Sequence, residues 1–252
     1  MMLETHEFNT AWWGAPTGIV RHPEFFSLPV DQQRELLTPF EWAEFKASLV
    51  YSDREEALPY RQLLRAGFIQ ADTQIHFRIG LAALQLTSLL EPLSVRFADE
   101  VPFSLPLEAM SIFRHERFYI LPGISAERIN RRYAMWGQQI ILTHPATCLE
   151  VLLDGKVQGW FLSMKEGAKL NLTLAMLHQN ASISGSMLYQ RALVAYGSRG
   201  YRIGYASFHV GNTDVLNIYA HLGARFLTPT ACWIWINERL LHEAPARVTT
   251  EK

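Results

Sequence analysis

The chain has 252 residues, 49% of them hydrophobic, so it can bury a sizeable core as one large domain or two small ones. Its 23 Lys and Arg residues against 24 Asp and Glu give a formal net charge of −1, which argues against a nucleic-acid binder held by a general positive field. We find no apolar run long enough to span a bilayer and expect a soluble protein without a membrane partner.

The cysteine count and the first residues indicate a cellular compartment. Cys148 and Cys232 lie far apart in apolar segments, which suits buried, reduced thiols better than a disulfide framework. The first 14 residues, MMLETHEFNTAWWG, contain acidic residues and no apolar core of a secretory signal. We therefore expect a cytoplasmic protein.

The first 90 residues contain a weak echo of the end of the chain. The segment YRQLLRAGF, beginning at Tyr60, precedes the strand-like IQADTQIHFRI, and YAHLGARF, beginning at Tyr219, precedes LTPTACWIWI. Both patterns predict a helix, a Gly-containing turn and a strand. Duplication and chance both fit the echo taken alone.

The middle of the chain supplies two helices and two hairpins. After a short strand at Val95–Phe97, the sequence predicts helices over Leu105–Arg117 and Ser125–Gly137. The segment Leu149–Leu177 then contains three apolar runs separated by the turn signals DGK and KEGA, which predict two tight hairpins. A helix is predicted over Ser186–Ser198 and a buried strand over Tyr201–Val210.

The stretch NTDVLNIYAHLGARF, from Asn212 to Phe226, is the most informative part of the sequence. Asn212 can cap a helix whose apolar positions form one stripe that includes Tyr219. Gly223 supplies the left-handed residue that ends the helix, and an extended segment starts at Arg225. A capping Asn and a packed Tyr are also common in helices without a site, so the flanking segments decide the interpretation.

The element order from Cys148 onward is strand, strand, strand, loop, helix, strand, helix, strand, and it resembles the GNAT acyltransferase fold. The resemblance implies an α/β fold with a mixed central sheet whose strands splay apart and are flanked by helices. FNTAWWGAPTGIV, LLRAGF, ERFYILPGIS, the Tyr133–Trp136 helix and NTDVLNIY together resemble the dTDP-fucosamine acetyltransferase group. That group implies a partial GNAT-like N-terminal domain over residues 1–92 and an acetyltransferase domain over residues 93–252.

The resemblance places an acetyl-CoA site on two elements. The strand amides around Ala175, Met176 and Leu177 correspond to those that bond the pantetheine arm and polarise the thioester carbonyl. The loop NASISGS matches the phosphate loop at a helix N-terminus, although only its last Gly is kept. The residues assigned to coenzyme A are Ala175, Met176, Leu177, Asn180, Ser182, Ser184, Gly185, Ser186, Asn212 and Tyr219. An ordinary Ser-capped helix start is the alternative for the loop.

Tyr219 matches the family's catalytic acid, which gives a proton to the departing thiolate. A thiol has a pKa of about 8.5 and tyrosine about 10, so this transfer is uphill by only about 2 kcal/mol before site effects. No Asp or Glu lies in the Leu170–Leu177 strand, which favours a weakly basic amine or a base reached through water. Glu150 and Glu166 remain candidate bases, and His178 is a candidate relay or a structural residue.

Basic residues mark the expected acceptor side. Arg114, His115, Arg117, Arg128, Arg131 and Arg132 cluster around the two predicted helices. Guanidinium groups are suited to binding a diphosphate or a carboxylate. The alternative is that these basic residues only form a solvated helix face. Because the resembled enzymes also carry an Arg-Phe pair at this place, the resemblance assigns Arg117 and Phe118 to the substrate.

The resemblance implies an acetyl-CoA-dependent N-acetyltransferase for a small-molecule amine, with a nucleotide-linked amino sugar as the first candidate. An amino acid or peptide amine is the second candidate, and a non-catalytic coenzyme A-binding protein the third. We expect no metal site, because metal-binding and other catalytic motifs are absent from the sequence. The resembled enzymes form dimers, so a homodimer is an expectation that the sequence leaves open. In such a dimer, PTACWIWI would pair or pack across the interface.

Overall fold

The chain forms two units that are interleaved along the sequence. A computed structural model describes residues 2–48, 60–167 and 169–243. The first unit takes residues 1–74, 116–125 and 228–252, and the second takes residues 75–115 and 126–227. The sequence predicts a single boundary instead of interleaved units, with one domain over residues 1–92 and another over residues 93–252. This division stays a prediction.

Strands and helices together form a mixed α/β fold, which confirms the predicted fold class. The strands of the described residues are β1 (Leu3–Thr5), β2 (Thr17–Val20), β3 (Trp42–Ser48), β4 (Phe68–Gly80), β5 (Leu93–Phe97), β6 (Cys148–Leu153), β7 (Lys156–Glu166), β8 (Lys169–Leu177), β9 (Ile203–His209) and β10 (Arg225–Ile236). The helices are α1 (Glu7–Trp13), α2 (Val30–Leu37), α3 (Tyr60–Arg65), α4 (Ala126–Thr143), α5 (Gly185–Ser198), α6 (Thr213–His221) and α7 (Glu238–Glu243).

The second unit contains a sheet with the order β4-β9-β8-β7-β6-β5. β5 to β8 are antiparallel to their neighbours, whereas β8 and β9 run parallel. The two predicted hairpins are present. Asp154 and Gly155 have φ values of 50° and 75°, as a two-residue type I′ turn between β6 and β7 requires. Ala168, in the second hairpin, lies outside the described residues.

The two faces of this sheet carry different helices. Side chains of β6 and β7 alternate, so that Leu149 and Phe161 pack with α5 and α6. Cys148 and Trp160 face the other way and pack with α4. Along β8 buried residues alternate with partly buried ones, as a strand whose two faces have different neighbours requires.

One predicted helix is wrong and another is longer than expected. Leu105–Arg117 contains a short 3-10 turn, Leu107–Ala109, followed by irregular chain up to Arg117, where the 3-10 turn Arg117–Ile120 begins. After this first turn, backbone groups of the segment bond to the end of β8 and to an α4 side chain instead of continuing a helix. The helix predicted over Ser125–Gly137 is α4, which continues to Thr143.

The first unit contains the order β1-β2-β3-β10. β2 is parallel to β3, and β10 is antiparallel to β3 with Thr230 opposite Ser48 and Ile236 opposite Trp42. The apolar C-terminal strand therefore pairs within its own chain along this edge. The core of the first unit includes Phe25, Phe26, Phe45 and Trp233.

The sequence echo corresponds to similar local structure at both places. α3 leads through Gly67, with φ 82°, into β4, and α6 leads through Gly223, with φ 76°, into β10. Left-handed glycines end both helices because glycine adopts a positive φ without a steric penalty. Duplication of a partial unit stays a prediction.

We expect Gly159→Ala to destabilise the second unit by about 1–3 kcal/mol, the usual cost of an overpacked site. A Cβ on Gly159 would lie 2.5 Å from the Met176 carbonyl oxygen and 3.1 Å from Leu177 Cα. Gly80→Ala is the control, because nothing lies within 4 Å of its Cβ position. Urea unfolding measures both, and equal midpoints would contradict the tight β7–β8 contact.

Candidate functional site

A β-bulge separates the two parallel strands of the second unit. Leu162 of β7 lies opposite Leu174, but Met164 lies opposite Asn171, so β8 has one more residue than β7 between these pairs. The extra residue falls at Leu172–Thr173, where a bulge bends β8. Pairing of β8 with β9 stops at Asn171 and Tyr205, immediately before the bulge. The two strands therefore splay apart toward their carboxyl ends.

The edge of β8 that faces this gap has a defined set of backbone groups. The His178 N–H donates to Gln158 O of β7 at 2.8 Å, whereas Leu177 O accepts from Ser111 N on the other edge at 3.3 Å. Because successive residues of a strand direct their backbone groups to opposite edges, the amides of Ala175 and Leu177 face the gap. The Met176 amide faces β7, and its side chain is buried.

The loop after β8 leads into the N-terminus of α5. Ser184 is the N-cap, and its hydroxyl accepts from Met187 N at 3.3 Å. The amides of Gly185 and Ser186 precede the first intrahelical donor, Leu188 N, which bonds Ser184 O, and they are available to an anion. A Cβ on Gly185 would make an ordinary van der Waals contact with Ile218, at 3.8 Å.

Other loop residues are engaged within the protein. Both the N–H and the hydroxyl of Ser182 bond to Gln158 Oε1, at 2.8 and 3.0 Å. The Ser186 hydroxyl accepts from Gln190 Nε2 at 2.9 Å, and Asn180 is exposed. Ile183 packs into the core with Leu188. This burial explains why an apolar residue stands where the family pattern has its first Gly.

Asn212 starts α6 at the end of β9. Its side chain accepts from Val215 N at 3.3 Å, as the predicted N-cap requires, and its N–H donates to His209 O at 2.9 Å. The capping bond uses Oδ1 and leaves the side-chain amide nitrogen for another acceptor. The predicted contact with coenzyme A is compatible with the cap.

Tyr219 lies in an aromatic cluster of the second unit. Its ring is 2% exposed and lies 3.9 Å from the Phe77 ring and 5.4 Å from the Tyr189 ring, measured between centroids. No described residue hydrogen-bonds its hydroxyl, yet that oxygen is not among the fully enclosed polar atoms that lack a partner. The hydroxyl therefore reaches the accessible surface.

Burial raises the pKa of Tyr219 well above 10, and the neighbouring tyrosines add to the rise. Tyr219 is therefore protonated throughout the physiological range, as a proton donor must be. Proton transfer from this phenol to a thiolate in water would cost more free energy than the roughly 2 kcal/mol expected for groups with ordinary pKa values. Desolvation also raises the pKa of a thiol. A sulfur bound beside this cluster would have a raised pKa as well, so the pKa difference between the phenol and the thiol would be smaller.

A segment that the sequence misassigned as a helix crosses between the ends of the splayed strands. We call residues 109–115 the strap. Ala109 O accepts from Gln179 N at 2.8 Å beside β8, and the His115 ring packs on His209 at the end of β9 with centroids 5.6 Å apart. Nothing periodic marks such a segment, so sequence reasoning had no signal for it.

The buried side chain of Asn130, on α4, holds the middle of the strap. Its Oδ1 accepts from Phe113 N at 3.1 Å, and its Nδ2 donates to Ser111 O at 3.3 Å. The Phe113 ring stacks on Tyr133 with centroids 3.8 Å apart. These contacts fix the course of the strap across the carboxyl ends of the strands.

Arg117 and Phe118, predicted to bind substrate, lie in the first unit. Arg117 Nε lies 3.0 Å from Glu44 Oε2, and the two side chains are 9% and 2% exposed. Phe118 is fully buried against Trp12 and Trp42. These contacts account for both side chains by charge pairing and packing, and the substrate role stays a prediction.

The Glu44 carboxylate depends on that pairing. Burial acts to raise its pKa, but the Arg117 charge and a hydrogen bond from His6 outweigh burial and hold the pKa well below 4.5. Glu44 is therefore ionised in the interior of the first unit. A buried carboxylate of this kind requires its cation to remain in place.

The two candidate bases named from the sequence differ in burial. Glu150 is buried, bonds to Arg96 and accepts from Trp160 Nε1 at 3.2 Å. Glu166 lies at the β7–β8 hairpin, where Oε1 accepts from Asn171 at 3.4 Å. The buried contacts of Glu150 explain it as a structural residue. Glu166 lies beside the amino-terminal end of β8, whereas the strands splay at the carboxyl end.

Both cysteines are buried free thiols, as predicted. Burial raises the pKa of Cys148 to about 12 and of Cys232 to about 11, so neither is a ready nucleophile. Among residues 2–48, 60–167 and 169–243, no cluster of three His, Cys, Asp or Glu side chains could hold a metal ion. No helix within these ranges has the length and apolar character needed to cross a membrane.

Comparison with known proteins identifies the fold. No family model matches the chain, and no curated protein matches it by sequence. A GCN5-related N-acetyltransferase from Sphaerobacter thermophilus superimposes with a TM-score of 0.56 at 13% identity, covering 93% of this chain and 76% of that one. A tandem GNAT protein from the clavulanic acid biosynthesis pathway gives 0.51 at 12% identity, with 88% and 76% covered.

A third solved structure is a GCN5-related glucosamine N-acetyltransferase region of a fungal multi-domain β-N-acetylglucosaminidase. It gives a TM-score of 0.57 at 9% identity, covering 88% of this chain and 30% of that one. At these identities the likeness establishes the fold alone. The chain therefore has a GNAT fold.

We expect Arg117→Met to lower the free energy of unfolding by about 3–5 kcal/mol, because it leaves Glu44 buried without its cation. Arg114→Met is the control, since Arg114 is exposed and its loss should change stability by less than about 0.5 kcal/mol. Urea unfolding measures both. Unchanged stability of Arg117→Met together with a raised KM for the amine would support the substrate role instead.

Proposed function

We propose that this protein is a coenzyme A-dependent N-acetyltransferase. The observation that carries the proposal is the bulge at Leu172–Thr173, which opens β8 from β9 and leaves strand amides without a sheet partner. A pantetheine arm carries amide groups that such an edge can bond. The capped N-terminus of α5 follows within a few residues and offers its first amides to phosphate.

The residues present fit acetyl-CoA on both elements. Ala175 and Leu177 would bond the pantetheine arm, while Met176 would shape the site only through the strand. Gly185 and Ser186 would hold the pyrophosphate by their amides, with Ser184 capping the helix and Ser182 and Asn180 beside it. Asn212 would contact the donor from the other strand. When bound, acetyl-CoA supplies the activated acyl group.

Tyr219 would act as the acid for the departing sulfur. Its hydroxyl reaches the accessible surface from a ring fixed by Phe77 and Tyr189, so its direction is set by packing. The raised pKa keeps the proton on oxygen until a sulfur anion develops beside it. This role requires no metal ion.

A nucleotide-linked amino sugar is the acceptor that we propose. The resemblance to the dTDP-fucosamine acetyltransferases and the name of the glucosamine N-acetyltransferase region both support an amino sugar. An amino acid or peptide amine is the second candidate. We further propose that the first 92 residues are a partial GNAT-like domain, that the protein is a homodimer and that it acts in the cytoplasm.

Binding and turnover together test the proposed function. Isothermal titration calorimetry should show one acetyl-CoA site per chain. Thiol release should then appear with dTDP-4-amino-4,6-dideoxygalactose and exceed that with glucosamine or a peptide carrying a free N-terminus. Binding without thiol release for any amine would identify a non-catalytic coenzyme A-binding protein, and absence of binding would overturn the proposal.

We expect Tyr219→Phe to lower kcat by about 10²- to 10⁴-fold, the usual contribution of a general acid. No described residue bonds the Tyr219 hydroxyl, so the melting temperature should stay close to that of the wild type. Tyr189→Phe is the matched control from the same cluster and should keep its kcat. Unchanged turnover of the true acceptor by Tyr219→Phe would remove Tyr219 from the mechanism.

A further inference from the structure

The proposed reaction needs a proton acceptor that the assignments above do not supply. A protonated amine has no lone pair with which to attack, so a proton must leave before the carbon–nitrogen bond forms. β8 carries no carboxylate in Leu170–Leu177, and the Glu150 carboxylate is occupied by Arg96 and Trp160. A base that the protein supplies directly would therefore come from another element near the splayed ends of the strands.

Two histidines lie at those strand ends, and their hydrogen bonds define their tautomers. His178 follows β8, and its Nδ1 accepts from Asn180 N at 3.0 Å. His209 ends β9, and its Nδ1 accepts from Gly211 N at 2.8 Å. A backbone N–H can only donate, so Nδ1 is unprotonated in both rings and the neutral imidazole carries its proton on Nε2.

This arrangement makes both rings poor bases toward a substrate. Nδ1, the nitrogen with the lone pair, is covered by the backbone amide. Nε2 already carries a proton and can only donate. His178 and His209 therefore suit the binding of an oxygen acceptor, but they cannot take a proton from an amine without losing these bonds.

His115 differs from both because its ring nitrogens have no protein hydrogen bond among the described residues. Its ring is exposed and packs against His209, and its Nδ1 lies 3.7 Å from the position of a Cβ on Gly211. Gly211 carries no side chain, so the space between the two rings is not filled from the β9–α6 turn. One lone pair of neutral His115 is thus available at the end of β9.

The strap holds His115 in this place. Asn130 bonds the strap at Ser111 and Phe113, four and two residues before His115. The charged groups on the neighbouring elements are Arg114 beside it, Asp214 in the first turn of α6, and Glu127, Arg128, Arg131 and Arg132 on α4. The carboxylate of Glu116, the next residue, pairs with Arg117 in the first unit.

We propose that His115 is the general base that deprotonates the acceptor amine, an inference that rests on the proposed function. The His115 imidazole takes one proton from the ammonium and passes it to solvent. The amine nitrogen then attacks the thioester carbonyl carbon, and the carbon–nitrogen bond forms as the carbon–sulfur bond breaks. Sulfur takes the Tyr219 proton, and the second nitrogen proton returns to the Tyr219 oxygen.

Replacement of His115 tests the base through the pH dependence. With the acceptor that turns over fastest in the panel above, His115→Gln should lower kcat/KM by about 10²-fold at pH 7, within the usual contribution of a general base. The deficit should shrink as the pH approaches the pKa of the amine, because the amine then loses its proton without help. A deficit that is the same at every pH would indicate positioning alone and would overturn the proposal.

Chemical rescue and a control variant sharpen the result. Added imidazole should restore turnover to His115→Ala, which a purely structural residue would not allow. His221→Gln, which removes an exposed imidazole at the end of α6, should behave as the wild type. Failure of rescue together with wild-type turnover by His115→Gln would overturn the base assignment and leave the acetyltransferase function in place.

A measurement without turnover completes the test. In protein labelled with ¹⁵N-histidine, His178 and His209 should show the Nε2–H tautomer, and the His115 nitrogens should shift when dTDP-4-amino-4,6-dideoxygalactose, glucosamine or the peptide is added. Unchanged His115 signals with an amine that turns over would overturn this inference alone. Absence of turnover by the wild type with every amine would overturn the proposed function and the inference with it.

Discussion

The rest of the second unit depends on one irregularity, the extra residue that β8 inserts against β7 at Leu172–Thr173. Without it, β8 and β9 would stay paired along their length and every amide of β8 would be bonded within the sheet. The bulge converts a closed parallel pair into an open wedge. Ala175 and Leu177 then present polar groups that a bound ligand can satisfy in place of a neighbouring strand.

The wedge stays open because both of its arms are anchored elsewhere. β8 keeps its ladder with β7, where Gly159 leaves room for the Met176 carbonyl, and its end is bonded to the strap. β9 continues into α6, whose Asn212 cap and Tyr219 cluster fix the second arm. Packing of Tyr219 against Phe77 buries a phenol in a medium that keeps it protonated. The packing that fixes the second arm therefore also sets the protonation state of Tyr219.

Local patterns predicted much of this fold because they act over a few residues. The DGK turn, the left-handed Gly223 and the Asn212 cap each depend on backbone conformations that only certain residues favour, so their elements were found. The helix expected over Leu105–Arg117 failed for the opposite reason. Its backbone bonds to β8 and to Asn130, partners remote in sequence, and no periodicity within the segment records them.

The sequence by itself determined the α/β element order from Cys148 onward, the hairpins, the two reduced thiols and the capped helix that bears Tyr219. Only the tertiary structure decided the bulge, the burial of Arg117 and Phe118 with Glu44 and two tryptophans, and the meeting of His115 with His209. Turns and caps are satisfied by neighbours in the chain, whereas the wedge, the buried ion pair and the strap are satisfied by groups that only folding brings together.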